Sequence, residues 1–505
     1  MSKYLVGIDA GTTGGKACVF DVEGNLLGSD YREYPCQYPK EMWVEQLAGD
    51  MVPALFAATK SAVNKSGIDP KDIQAISFST QGSTLGLVDK DGNLLRPFLV
   101  WQDLRGESEL DFIYSKITKE EYYKRTGDPV TLLFGSTKIL WLMHNEPEIY
   151  AKTAKIVDHQ TYFMRAFGAD GYVTDSSSAS RFGVFDVDNE KWDSYMLDLL
   201  GIKEDKLATI VQPGTISGYV TKEVAEQTGL VEGTPICVGA MDCTASTFGS
   251  GGTDSGMSIV IMGTYGACFS ISDKPIRDPN VNMFVKNNSG LGNFTIEAAS
   301  NTSASSYRWY RDIFCDNEKF AAELVHSDAY ELINVQIASV PPGADGVTFL
   351  PYLQGRSGEK VNEKARGSFI GMKLGTKKPA MARAVMEGIS YETYDTINAH
   401  AATGIKITSV RLTGGAAKSP MWCQMLADIF KMPVQILDVA ETGCLGAAMY
   451  AGVGSGVYKN CREAAKKVVR LGATYQPNPG NYAAYDEAYK RYNSYYEAMV
   501  AGKVW

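Results

Sequence analysis

The chain opens on short apolar runs parted by small-residue turns. Tyr4–Asp9 reads as a strand, Gly11-Thr12-Thr13-Gly14-Gly15 interrupts it, and Lys16–Asp21 is a second β-type run. Glu23-Gly24-Asn25 then turns the chain into a third run from Leu26. Three strands in succession make a β-meander, which differs from the strand–loop–helix of a mononucleotide P-loop. The spelling agrees, because Ala10 and Ala17 occupy the places where that loop needs glycine and Ser or Thr. Residues 73–80 and 85–89 predict further strands, with Asp91-Gly92-Asn93 as a turn.

The pattern recurs in the second half. Met257–Met262 is a strand, Gly263-Thr264-Tyr265-Gly266 a turn and Ala267–Ile271 the returning strand. A Gly/Thr hairpin repeated after half the chain suggests duplication of the fold, although little else is shared. The stretch 239–252 is dense in small residues, and the domain boundary is expected near residue 250, dividing the chain into 1–250 and 251–505. Two helices follow. One has Pro379 in its first turn, apolar positions Ala382, Val385, Met386, Ile389 and Ile397, and ends before Gly404. The other has Ser419 as N-cap, Pro420 first, Trp422, Met425, Leu426 and Ile429 on one face, and stops before Pro433. Tyr482 to Tyr496 has helical spacing and predicts a packed terminal helix.

Composition adds bounds. A chain of 505 residues, 45% hydrophobic and 21% charged, suits two domains with sizeable cores. Its net charge of −9 disfavours nucleic acid as a partner, but a single nucleotide can still be held by local N–H groups and a metal ion. Nine scattered cysteines without a C-x-x-C spacing indicate a reducing compartment and no structural zinc. The first apolar run is broken by Asp9, too short for a signal-peptide core or a membrane span, so the expected setting is the cytoplasm and no membrane partner is expected. The four histidines sit apart and read as structural or surface residues.

Four segments carry candidate chemistry. Asp9 with Gly11–Gly14 and Lys16 is either a plain tight turn or a phosphate cradle with a carboxylate for Mg²⁺, held through water. Gly263–Gly266 is a turn alone, but the opposite half of a phosphate clamp if paired with the first. Asp242 lies where the apolar run Pro235–Val238 meets small residues; it is either a helix N-cap or a base that accepts a hydroxyl proton. Gly414-Gly415-Ala416 before the Ser419 helix is either a loop or a floor for a nucleotide base or ribose.

Together and in order, these segments resemble the FGGY family of carbohydrate kinases, within the actin/Hsp70/sugar-kinase ATPase superfamily. Gly7–Lys16 is similar to the family's first phosphate motif and Trp43-Val44-Glu45-Gln46 to a segment typical of it. Trp101-Gln102-Asp103-Leu104-Arg105 is similar to a stretch near the sugar, and Gly233-Thr234-Pro235 leads to Asp242 as the family's base does. Gly263-Thr264 resembles the second phosphate motif, and Leu412–Pro420 the adenosine motif.

The resemblance implies an α/β fold of two ribonuclease-H-like domains closing on ATP, Mg²⁺ and a small sugar or polyol. It implies Thr12, Thr13, Lys16 and Thr264 at the phosphates, Asp9 at the metal and Asp242 as base. Ala304, Arg308, Gly415 and Ser419 would lie at the nucleotide, and Gln81, Gly82, Ser83, Trp101, Asp103 and Arg105 at the acceptor. Xylulokinases carry Met-His and glycerol kinases Arg-Glu where this chain has Gly82-Ser83, which suggests a roomier pocket. A ketopentose such as xylulose is the expected acceptor. A pentanedione-like signal is the alternative, since Asp278–Asn280, Arg308–Asp312 and Ala451–Gly456 look similar to autoinducer-2 kinases. Readings from other classes are an actin- or Hsp70-like ATPase and a sugar-binding regulator without catalysis. The oligomeric state is open, with a homodimer as the candidate.

Overall fold

The computed structural model describes residues 3–439 and 441–505. The apolar runs of the first half become the strands β1 (Tyr4–Ala10), β2 (Gly14–Asp21), β3 (Leu26–Glu33), β4 (Ile73–Thr80), β5 (Ile216–Tyr219) and β6 (Pro235–Met241). They form one sheet in the order β5-β6-β4-β1-β2-β3. Strands β1, β2 and β3 are the antiparallel meander; β4 and β6 add in parallel, and β5 closes the edge antiparallel to β6.

The second half repeats the plan with β7 (Met257–Met262), β8 (Gly266–Ser272), β9 (Phe284–Asn288), β10 (Asn293–Ser300), β11 (Ser409–Gly414), β12 (Val434–Leu437) and β13 (Leu471–Tyr475). Their order is β9-β10-β8-β7-β11-β12-β13. Again an antiparallel meander (β7, β8, β10) precedes two parallel strands (β11, β12) and an antiparallel edge (β13), with β9 as an addition. Two copies of this arrangement are the paired ribonuclease-H-like fold that the motifs imply.

Seven helices matter for the site: α1 (Ala48–Ser66), α2 (Asp242–Gly249), α3 (Ala304–Phe314), α4 (Lys378–Ala402), α5 (Pro420–Phe430), α6 (Thr442–Gly454) and α7 (Tyr482–Ala501). Helix α5 starts as its sequence predicts, with the Ser419 hydroxyl accepting from the Trp422 N–H at 3.3 Å. The predicted apolar faces of α4 and α5 share one core with Tyr485, Tyr492 and Tyr496 of α7, so the tyrosine-rich segment is packing surface.

Helix α6 belongs to the second half by sequence, yet it lies against β1, β4 and β6 of the first sheet and crosses α2. The crossing needs bare backbone. A Cβ added at Gly446 would sit 2.0 Å from the Ala245 carbonyl oxygen, and one at Gly249 2.0 Å from that of Thr442. Leu445, Met449 and Tyr450 of α6 are buried with Leu5, Phe20 and Phe248, each fully buried side chain of this size contributing ~1.5–3 kcal/mol. This packing brings the start of α6, preceded by Glu441, against the first hairpin.

Candidate active site

The first hairpin is closed by the register Asp9↔Lys16 and Ala10↔Gly15, leaving Gly11–Thr13 as its tip. The Tyr34 hydroxyl donates to the Gly11 carbonyl at 2.7 Å and braces that tip. Asp9 is half-buried beside it, and its Oδ1 accepts from the Ser79 hydroxyl at 2.5 Å. Burial pushes the Asp9 carboxyl up to about 6 against the pull of Ser79, and Asp242, Lys16 and Glu441 all lie near enough to act on it. The structure therefore gathers Asp9, Lys16 and Asp242, as expected from sequence, and adds Glu441. Lys16 Nζ donates to both Glu441 carboxylate oxygens, at 2.8 and 2.7 Å. Burial opposes the charge on Lys16, but Glu441 more than offsets this and raises its pKa.

Asp242 is the first residue of α2, directly after β6, and half-buried. Its Oδ1 accepts from the Cys243 N–H at 2.6 Å, a bond at the first turn of the helix. Burial raises its pKa, while the Cys243 contacts and the nearby Arg181 guanidinium oppose that shift. Met241 before it is pinned by its N–H donating to the Ser177 hydroxyl at 3.0 Å.

The wall on the acceptor side departs from expectation. The Thr12 hydroxyl donates to Gln81 Oε1 at 2.7 Å and accepts from Trp101 Nε1 at 2.9 Å, so it ties the first hairpin tip to Gln81 and Trp101. Thr13 is the exposed hydroxyl of the tip. Gln81 is buried, its amide spent on Thr12, Gln46 and His159. Asp103 and Arg105 are also buried: Arg105 is bound to Asp103 and Glu45, stacked on Trp43 at 3.7 Å, and Asp103 accepts from the Val44 N–H. Gln81, Asp103 and Arg105 are thus engaged by the protein itself, and the Asp103 and Arg105 side chains are closed to solvent in this conformation. Trp101 and Ser83 remain half-buried at the wall, Ser83 in the left-handed region at φ 57°.

The expected room at Gly82 is filled. A Cβ there would meet Met241 Sδ at 2.4 Å and Arg181 Cγ at 3.2 Å. Arg181, Phe134, Phe284, Lys286 and Glu297 form this part of the pocket and were not singled out by sequence. They come from four separate segments, Phe284 and Lys286 sharing β9, and only the paired cations on one carboxylate hint at them. Nearby, Lys138 is buried, donates to the Leu133 carbonyl at 2.7 Å, and is pushed down to about 7 by burial. Asp128, buried and pushed up to about 8 by burial, has no hydrogen-bond partner for either oxygen among the described residues.

The second half places its candidate residues at the β7–β8 hairpin, the start of α3 and the turn from β11 into α5. Thr264 is exposed at the tip of the β7–β8 hairpin, and its carbonyl accepts from the Ser303 N–H and the Ser305 hydroxyl. Gly414 takes φ 88°, with its backbone so near the Met262 carbonyl that a Cβ would lie 2.5 Å from it. A Cβ on Gly415 would touch that of Ala304 at 3.8 Å, which leaves a flat backbone floor between α3 and β11. Arg308 is exposed one turn further along α3. The Ser419 hydroxyl is occupied by Trp422 N–H and by Asn334 Nδ2 at 3.2 Å.

The donors near Asp9 suit a hard divalent cation: the carboxylates of Asp242 and Glu441 both lie near enough to act on that of Asp9, with Lys16 beside them. Among the described residues no three His, Cys, Asp or Glu side chains converge tightly enough to hold an ion directly. Asp9 is the carboxylate at the hairpin tip that could face a hydrated Mg²⁺.

Comparison with known proteins gives a consistent picture. The model of the N-terminal domain of the FGGY family of carbohydrate kinases matches residues 4–249, and that of its C-terminal domain residues 259–455. A gluconokinase of Bacillus subtilis is 32% identical over 89% of this chain and 87% of its own length. An autoinducer-2 kinase of Salmonella paratyphi A is 29% identical over 99% of this chain and 96% of its own. The crystal structure of a ligand-bound xylulose kinase from Lactobacillus acidophilus superposes with a TM-score of 0.89, at 27% identity and complete coverage of both chains.

Proposed function

The chain belongs to the FGGY family of carbohydrate kinases and is an ATP-dependent sugar kinase; from that premise we propose that Asp242 is its base and that the two hairpins take opposite sides of one nucleotide. The observation that carries this reading is the gathering of Asp9, Lys16 and Asp242 at the ends of β1 and β6 and the start of β2. Asp242 takes the proton of an acceptor hydroxyl, whose oxygen attacks the γ-phosphorus in line as the bond to the ADP oxygen breaks. Lys16 and the N–H groups of the Gly11–Thr13 and Gly263–Gly266 tips neutralise and orient the phosphates. Asp9 would hold Mg²⁺ through water, and the ion's chemistry there is charge neutralisation on the phosphate oxygens. Ala304, Arg308, Gly415 and Ser419 frame the adenosine, Ser419 by shaping the start of α5.

Two domains divided near residue 250 would close on the ligands and exclude water, which competes with the acceptor. The nine thiols, none bonded to another, and the need for ATP support a cytoplasmic setting. No described helix is long and apolar enough to cross a membrane.

Likeness to the xylulose kinase supports a ketopentose as acceptor, and likeness to the autoinducer-2 kinase supports a pentanedione. Likeness to the gluconokinase adds an aldonic acid. The test of the kinase reading is coupled ADP release with and without a panel of these acceptors. Release that requires an acceptor is the expected result. Equal release without one favours an ATPase of the Hsp70 or actin kind, and no release with any acceptor favours a binding regulator.

A further inference from the structure

The acceptor pocket contains a cation whose charge the protein does not fully satisfy. Arg181 is 6% exposed and follows the short helix Ser176–Ser180. Its guanidinium is fixed on three sides. Nε donates to Met241 Sδ at 3.1 Å, Nη2 donates to Glu297 at 3.0 Å, and the rings of Phe134 and Phe284 lie 4.9 and 5.5 Å from its carbon. Nη1 has no protein acceptor among the described residues, and it is not among the sealed polar atoms. Gly82 is what admits this arrangement, because any side chain at that position would strike Met241 Sδ and crowd Arg181 Cγ.

Glu297 is shared between two cations. It is the carboxylate bonded to Arg181, and it also pairs with the buried Lys286. Asp128 faces Arg181 but is held largely neutral near pH 7 by its burial. Asp242 is the remaining carboxylate close by, and as base it loses its charge when it accepts the hydroxyl proton. A neutral hydroxyl could accept from Nη1, but a carboxylate would gain a stronger, charge-assisted bond there.

We propose that Arg181 is the specificity-determining residue of the acceptor pocket, and that the acceptor is a small open-chain polyhydroxy acid whose carboxylate binds its free Nη1 edge. The proposal rests on the kinase reading above and narrows its acceptor.

The test is a panel of four- to six-carbon aldonic acids, the matching alditols and ketopentoses, assayed by coupled ADP release with wild type, Arg181→Met and Arg181→Lys. Wild type should favour the best acid over its alditol by ~10–100-fold in kcat/KM, the span of one charge-assisted hydrogen bond. Arg181→Met should erase that preference, costing far more in kcat/KM for the acid than for the alditol with KM for ATP nearly unchanged, and Arg181→Lys should restore part of it. Calorimetric binding of the acid to the ATP-free wild type supplies a readout independent of turnover and of variant folding. A wild type that prefers a ketopentose or alditol to every acid overturns the proposal while leaving the kinase reading intact. So does an Arg181→Met variant that loses acid and neutral acceptors alike. ADP release with no member of the panel overturns the kinase reading and the proposal together.

Discussion

Replacing Glu441 by glutamine probes an ion pair that joins the two halves of the chain at the phosphate-binding end. Lys16 Nζ is bound to both oxygens of Glu441, and the two side chains are 29% and 31% exposed. A pair this open to solvent contributes ~0.2–1 kcal/mol. ATP that recruits Lys16 must first break it, so the pair opposes nucleotide binding by the same amount. Glutamine keeps the shape of the side chain, accepts one hydrogen bond from Lys16 and removes a negative charge that faces the incoming phosphates. Titration calorimetry of ATP without metal should therefore show Glu441→Gln binding up to ~5-fold tighter, the ratio corresponding to 1 kcal/mol. Thermal stability should fall by no more than the pair's own worth. The reciprocal Lys16→Met should weaken ATP binding by ~10-fold or more, as expected for a lost hydrogen bond from a charged donor. If Glu441→Gln binds ATP no better than wild type, or Lys16→Met binds it equally well, Lys16 does not exchange its carboxylate for phosphate.

The remaining predictions follow the same geometry. Asp9 has a folded pKa of about 6 against ~3.9 for an unfolded carboxyl, so its charged form costs on the order of 3 kcal/mol of stability at neutral pH. That cost is complete above the folded pKa and is relieved as the pH falls from about 6 towards 4. Asp9→Asn should accordingly raise the ligand-free Tm at pH 7.5, by a margin that shrinks at pH 5, while activity falls by ~100-fold or more. Equal Tm values at pH 7.5 would contradict it. Thr12→Val breaks the bonds to Gln81 and Trp101 and should cost ~1–3 kcal/mol in denaturant unfolding. In the same variant KM for the acceptor should rise more than KM for ATP; a selective rise in KM for ATP would return the Thr12 hydroxyl to the phosphates.

The legible parts of the fold were those written in contiguous residues. Ile73–Thr80 is a β-branched and apolar run bounded by Asp72 and Gln81-Gly82, and it is a strand over that same span. Ser419-Pro420 marks the start of α5 because a cap and a helix-ready proline act locally. Side-chain direction was less legible. Asp103 and Arg105 look like acceptor ligands in one dimension, but the fold turns Arg105 onto Glu45 and Trp43 and Asp103 onto the Val44 N–H, partners about sixty residues away in sequence. The room read into Gly82 was likewise taken by Met241 and Arg181 from distant segments. Glu441 escaped notice because its role depends on α6 leaving its own half of the chain to pack on the first sheet.

The central claim, that Asp242 is the base at a nucleotide site formed by two hairpins, is tested most directly by Asp242→Asn. Asparagine can keep the bond from the Cys243 N–H through its own Oδ1, so the start of α2 should stand unchanged. With a turned-over acceptor in hand, kcat should fall by ~10²–10⁴-fold, the usual worth of a general base, while the dissociation constant for ATP stays within about twofold. Turnover near that of wild type would contradict the assignment of Asp242 and with it the account of the site.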